Sequence, residues 1–142
     1  MKREEIKKYL PHREPMLLVD EMNLDGEYVL AKYHVRGDEY FLQGHYPGHP
    51  VVPGVILCEI MGQSCALLVK ELLLNRTPMY AGLDGVKFKK PVVPGDTVNV
   101  KARIESSRKL MVVVNAEAFV NGEMCVKGKL TFVMVDNDKL RI

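Results

Sequence analysis

The stretch from residue 44 to residue 63 reads GHYPGHPVVPGVILCEIMGQ, and its two halves have opposite characters. The first half resists regular structure, because Pro47, Pro50 and Pro53 each remove a backbone donor and restrict the residue before them. From Val55 the composition changes to about twenty residues without proline, rich in Leu, Ile, Met and Ala, up to the breaker Asn75-Arg76-Thr77-Pro78. This pattern predicts one long helix. Its apolar residues lie on nearly every face, so the helix is expected to be enclosed by the rest of the protein.

Working outward, the flanking segments read as strands. Downstream lie Tyr80 to Phe88, a Pro94-Gly95-Asp96 turn, Val98 to Ile104, Leu110 to Val120, an Asn121-Gly122 turn, and Met124 to Val135. Every second residue is apolar in Leu110, Val112, Val114, Ala116, Ala118 and Val120, as in a strand with one buried face. Asn121-Gly122 between two such runs is a strong hairpin signal. Upstream, residues 2 to 9 suit a short amphipathic helix with Ile6 and Tyr9 inward, Met16 to Asp20 reads as a strand, and Asp25-Gly26 turns the chain into a strand from Tyr28 to Val35. Residues 36 to 54, with four glycines and three prolines, form a loop. The expectation is an α+β fold, a strongly bent antiparallel sheet around one long helix, in a single domain spanning residues 1 to 142.

Composition narrows the function classes. The 142 residues are 47% hydrophobic and 27% charged, with a formal net charge of +2, which argues against disorder and against a generally basic nucleic-acid-binding surface. The opening MKREEIKKYL has no apolar block of the kind a secretory signal needs, so a cytoplasmic location is expected. Cys58, Cys65 and Cys125 are odd in number and contain no C-x-x-C pair, so they read as reduced, mostly buried thiols. The most apolar stretch, Val51 to Leu74, is interrupted by Glu59, Gln63, Ser64, Lys70 and Glu71, which argues against a membrane span.

Several residues could carry chemistry. The backbone N–H groups of Gly54 and Val55 stand at the start of the helix without intrahelical acceptors, a place for a carbonyl oxygen to gather negative charge. Pro53-Gly54 equally serves as a tight entry into a helix. Glu59 is a carboxylate on a nearly all-apolar helix, and Gln63 shares its face one turn later. The two could satisfy each other, cap a neighbouring strand, or form the polar side of a reactive site. His45, in the rigid loop, is suited to take and return a proton near neutral pH. Together these groups suit proton abstraction next to a thioester carbonyl. His49 follows at a spacing of four, but Pro47 and Pro50 forbid the helix that would make the pair metal ligands, and no metal site is expected. His12 and His34 have no evident partner and read as structural or exposed. Lys87, Lys89 and Lys90 form the densest basic patch away from the N-terminus, able to steer an acidic partner or to stand as a solvated strand edge.

Three segments carry a family resemblance over nearly the whole chain: LPHREPMLLVDEM at 10 to 22, FLQGHYPGHPVVPGVILCEIMGQ at 41 to 63, and AGLDGVKFKKPVVPGDTV at 81 to 98. The chain resembles the 3-hydroxyacyl-acyl-carrier-protein dehydratases of type II fatty acid synthesis, which have the hot-dog fold. The resemblance implies reversible dehydration of a (3R)-hydroxyacyl thioester to the trans-2-enoyl thioester without a metal or organic cofactor. It implies that His45 removes a proton from C2 and that Glu59 helps the C3 hydroxyl leave as water, directly or through a bound water. It further implies that the Gly54 N–H polarises the thioester carbonyl and that Gln63 orients the glutamate or its water. Acyl carrier protein would be the partner, with Lys87, Lys89 and Lys90 as candidate contacts. The family also implies a homodimer in which His45 of one subunit meets Glu59 of the other, often assembled into a trimer of dimers. Tyr46, Leu42, Met16 and Gly62 depart from the usual residues, Gly62 standing where alanine is common. A thioester hydrolase on the same fold and a non-catalytic acyl-binding subunit are the alternatives.

Overall fold

The computed structural model describes residues 1–140. Alternating apolar strands pair into one antiparallel sheet, formed by β1 (Glu21–Asp25), β2 (Tyr28–His34), β3 (Arg76–Phe88), β4 (Thr97–Arg108), β5 (Met111–Val120) and β6 (Glu123–Asp136). Their order across the sheet is β1-β2-β4-β5-β6-β3. Between β2 and β3 the chain leaves the sheet and forms the principal helix, α2 (Gly54–Gln63); a single turn, α1 (Arg3–Ile6), opens the chain. The alternation read in the sequence decides which side faces α2. Val98, Val100 and Ala102 of β4, Val112, Val114, Ala116 and Ala118 of β5, and Leu130, Phe132 and Met134 of β6 are all buried. They share one core with Leu57, Ile60 and Met61 of α2. The turn at Asn121 and Gly122 takes φ values of 51° and 78°, the left-handed conformation that a two-residue hairpin requires.

Two expected elements differ. Met16 to Asp20 is not a strand, and β1 begins at Glu21. Leu17, Leu18 and Val19 are buried consecutively rather than alternately, and side chains take backbone groups that a sheet would otherwise pair. Gln63 accepts from Leu18 N–H at 2.7 Å and donates to Met16 O at 2.8 Å, and Arg3 donates to Leu17 O at 3.2 Å.

The single helix of about twenty residues is also shorter than expected. α2 ends at Gln63, and two 3₁₀ turns over Ala66–Leu72 meet at Val69, whose φ of −121° is not helical. Gly62 is a weak helix former, and Ser64 Oγ and Cys65 Sγ turn back onto the carbonyls of Ile60 and Met61, contacts known to bend helices. Nor is the apolar stretch enclosed all round, since Val55 and Leu74 are 76% and 77% exposed. The Asn75–Pro78 segment is not wholly a breaker: Arg76, Thr77 and Pro78 already belong to β3. Proline is tolerated there because β3 is an edge strand. The three cysteines are buried and unpaired, and no helix among the described residues is long and apolar enough to cross a membrane.

Leu130 of β6 lies fully buried in the core. Leu130→Ala should cost about 2–5 kcal/mol through lost burial and a residual cavity, measured by denaturant unfolding at fixed protein concentration.

Candidate active site

The loop before α2 positions His45. Its backbone N–H bonds to Leu42 O at 3.2 Å, and its imidazole packs against the Tyr46 ring with centroids 4.4 Å apart. His45 Nδ1 lies 2.8 Å from the Val51 carbonyl oxygen. A carbonyl only accepts, so Nδ1 carries the hydrogen and Nε2 keeps its lone pair, the tautomer of a general base. His45 shares a cavity of about 430 Å³ with Gly54, Phe88, Lys89 and Lys90. Gly54 is the first residue of α2, which has no side-chain cap, so the N–H groups of Gly54 and Val55 remain available to a ligand. A β-carbon at this position would stand 2.9 Å from the ring of the half-exposed Phe88, so a side chain here would have to push that ring aside.

Glu59 and Gln63 open instead onto a second cavity of about 230 Å³, bordered by His12, Gly62, Tyr80 and Phe132. Gln63 is 2% exposed, and its amide orientation is settled by its partners. With Oε1 taking the Leu18 N–H, Nε2 is left to donate to Met16 O and to Glu59 Oε2, each at 2.8 Å. His12, which sequence reasoning left without a partner, places Nε2 3.2 Å from the same Glu59 oxygen. Arg13 orders the backbone that carries His12 by donating to the carbonyls of Lys7, Leu10 and His12. The hydrogen bond from His12, and secondarily that from Gln63, holds the Glu59 carboxyl below its usual range against the opposing effect of burial. The signal that could have found His12 is the carboxylate itself, since a half-buried charge needs donors.

The structure therefore brings Glu59 and Gln63 together, adds His12, and gathers His45, Gly54, Lys89 and Lys90 elsewhere. Within one chain His45 and Glu59 face different cavities. Lys87 is not on the His45 cavity. It stands opposite Lys127 across β3 and β6, which extends the basic patch, while Lys90 pairs with Glu123. Val55 contributes backbone only, its side chain being exposed. His34 contacts Thr97 at 2.9 Å and His49 lies exposed in the loop, both away from either cavity. Burial pushes the Cys58 thiol up and the Cys65 thiol to about 12, so neither is a ready nucleophile. Among the described residues no His, Cys, Asp and Glu cluster could hold a metal ion.

A FabA-like domain matches residues 10–129, a span that includes His45, Gly54, Glu59 and Gln63. The chain belongs to the FabA-like family. Relatives carry the match at the level of sequence. The chain is 42% identical over 132 residues to the 3-hydroxyacyl-[acyl-carrier-protein] dehydratase FabZ of Streptococcus sanguinis (strain SK36), covering 91% of this chain and 94% of the relative. It is 36% identical over 135 residues to the FabZ of Fusobacterium nucleatum subsp. nucleatum, covering 93% and 96%. Solved structures agree on the fold. A dehydratase heterocomplex, ApeI:P from Xenorhabdus doucetiae, superposes with a TM-score of 0.81 at 20% identity over 95% of this chain and 93% of the other. A thioesterase-superfamily member from Thermus thermophilus gives 0.67 at 18% identity, over 82% and 87%. The hot-dog fold thus serves both dehydratases and thioesterases, and the sequence-level match separates this FabA-like chain from the second group.

A glycine at position 62 has a structural reason. A β-carbon there would stand 2.2 Å from the Tyr80 hydroxyl, which donates to Cys58 O at 2.5 Å while its ring stacks on Phe132. Gly62→Ala should destabilise by about 1–3 kcal/mol through overpacking. The loss should shrink in a Tyr80→Phe background, and the non-additivity, read from thermal or denaturant melts of the two singles and the double, measures the contact. Glu59 also links stability to pH. Its folded-state pKa lies below the unfolded one, so its contribution is complete above the unfolded value and is lost as pH falls through the folded value. Unfolding curves of Glu59→Gln should accordingly show a weaker loss of stability with acidification than wild type.

Proposed function

We propose that this protein dehydrates 3-hydroxyacyl thioesters borne on acyl carrier protein to trans-2-enoyl thioesters in fatty acid biosynthesis, reversibly and in the cytoplasm. The observation that carries the reading is the identity of up to 42% to FabZ dehydratases across more than nine-tenths of the chain, with His45, Gly54 and Glu59 inside the matched span. The geometry supports a role for each residue. His45 Nε2, left unprotonated by the bond from Nδ1 to Val51, takes the C2 proton. The open N–H at Gly54 receives the charge that develops on the thioester carbonyl. Glu59, held by Gln63, acts on the C3 hydroxyl as it leaves. Lys89 and Lys90 on the His45 cavity, with Lys87 preceding them at the end of β3, give an acidic carrier a salt-dependent docking surface.

The reading requires two chains. His45 and Glu59 face separate cavities, and β3 is a 13-residue edge strand with Met79, Leu83 and Phe88 about half exposed. A long apolar edge of this kind is a ready surface for pairing with a second copy. Such pairing sets the His45 half-site of one subunit beside the Glu59 half-site of the other. A trimer of dimers is a further assembly of the same unit.

The test follows enoyl-thioester formation from 3-hydroxybutyryl carrier protein. His45→Ala and Glu59→Gln should each reduce turnover by about 10²–10⁴-fold, the usual loss for a positioned proton-transfer group. Mixing the two variants through unfolding and refolding should restore about a quarter of wild-type activity, because half of the dimers are hybrids and each hybrid regains one intact site of two. No recovery on mixing would show that the site lies within one chain. Release of free thiol in place of enoyl product would identify a hydrolase.

A further inference from the structure

The loop that carries His45 takes the left-handed backbone conformation at alternate residues. Gly44, Tyr46 and Gly48 have φ values of 78°, 65° and 85°. Glycine adopts such values without strain, whereas a bulky side chain there is an outlier that its surroundings must hold in place. Space does not select glycine at the outer two positions, since a β-carbon at Gly44 or Gly48 would meet nothing within 4 Å. The backbone selects it, and Tyr46 breaks the pattern.

Neither burial nor the backbone explains a tyrosine at this position. The residue is 62% exposed. Its carbonyl accepts the His49 N–H at 2.8 Å, but glycine would supply the same acceptor. The Tyr46 ring lies against the imidazole of His45 instead, with centroids 4.4 Å apart and planes tilted by 40°. In extended chain, neighbouring side chains point to opposite sides, so the left-handed turn and the contact with the preceding ring come together.

The imidazole has use for such a contact. The bond from Nδ1 to Val51 O fixes one atom of the ring. A single hydrogen bond still lets the ring swing about it, and Nε2, on the far edge, moves most. Tyr46 closes one face of the imidazole to that motion, on the cavity that His45 shares with Gly54. A base displaced by a fraction of its reach loses rate steeply, because proton transfer needs aligned partners at close range.

We propose that Tyr46 is a positioning residue for the proton abstraction, its ring kept in a strained backbone position to hold the His45 imidazole with Nε2 towards C2. The inference rests on the dehydratase reading and adds what orients the base. His45 still takes the C2 proton. Tyr46 exchanges no proton and acts through the face of the imidazole. Backbone strain and turnover are then opposed at this residue, since the substitution that relieves the strain also removes the ring.

The experiment compares wild type, Tyr46→Phe, Tyr46→Ala and Tyr46→Gly, each checked for oligomeric state, by melting temperature and by turnover of 3-hydroxybutyryl carrier protein. Proton NMR follows the His45 imidazole lines, assigned by their loss in His45→Gln. Alanine and glycine both lack the ring, and only glycine relieves the backbone, so Tyr46→Gly should melt above Tyr46→Ala. Both should nevertheless lose about tenfold to a hundredfold in kcat with little change in KM. Tyr46→Phe, which keeps the ring, should recover kcat. The imidazole lines should bear the same ring-current shift in wild type and Tyr46→Phe and lose it in the other two. Undiminished kcat in Tyr46→Gly and Tyr46→Ala would overturn the proposal, as would a loss confined to KM, which marks a wall for the substrate. A phenylalanine variant as slow as the alanine one would also overturn it, by assigning the effect to the hydroxyl. Imidazole lines that do not move on loss of the ring would refute the stacking whatever the turnover. A wild type that carries the ring-current shift but does not turn over the hydroxy substrate would instead overturn the dehydratase reading, and the positioning role with it.

Discussion

The site depends on one buried amide. Gln63 is anchored at both ends, its oxygen by the Leu18 N–H and its nitrogen by the Met16 carbonyl, and the second N–H then points at Glu59. A flip of the amide would place oxygen against two oxygens and nitrogen against an N–H, leaving buried polar groups unpaired at a cost of about 1–3 kcal/mol each. This amide allows an apolar helix to carry a carboxylate. It also ties the N-terminal segment to α2, so that His12, 47 residues earlier than Glu59 in the chain, comes to rest beside it.

The two ends of α2 serve different purposes. At the N-terminus, the absence of a side-chain cap and the missing β-carbon of Gly54 leave backbone donors open beneath Phe88. Near the C-terminus, Gly62 admits the Tyr80 hydroxyl, and Ser64 ends the regular helix by bonding back to Ile60. Glu59 lies between these ends but turns away from the His45 cavity. A fold with one helix and one sheet face thus presents two polar openings, each lacking what the other holds.

Much of the fold was legible because its signals are local. Alternation in Val112, Val114, Ala116 and Ala118, and the turn at Asn121-Gly122, depend on the backbone geometry of a few neighbouring residues. The failures came where distant side chains decided the outcome. Leu17, Leu18 and Val19 have the composition of a strand, but Arg3 and Gln63 occupy backbone groups of that segment. Apolar composition continues past Gln63 and so predicts a helix twice as long as α2, while the bend at Ser64 comes with a side-chain hydrogen bond that composition does not register.

The sequence by itself determined the strands from β2 onward and the buried faces of β4 and β5, the proline-restricted loop that holds His45, and the family, because these reside in residue type and short spacing. It also marked Glu59 as a charge in need of partners. Only the tertiary structure decided which partners those are, that His12 supplies one of them, and that His45 and Glu59 face different cavities. Those relations join residues tens of positions apart, through hydrogen bonds whose direction is set only when the segments around Gln63 have packed together.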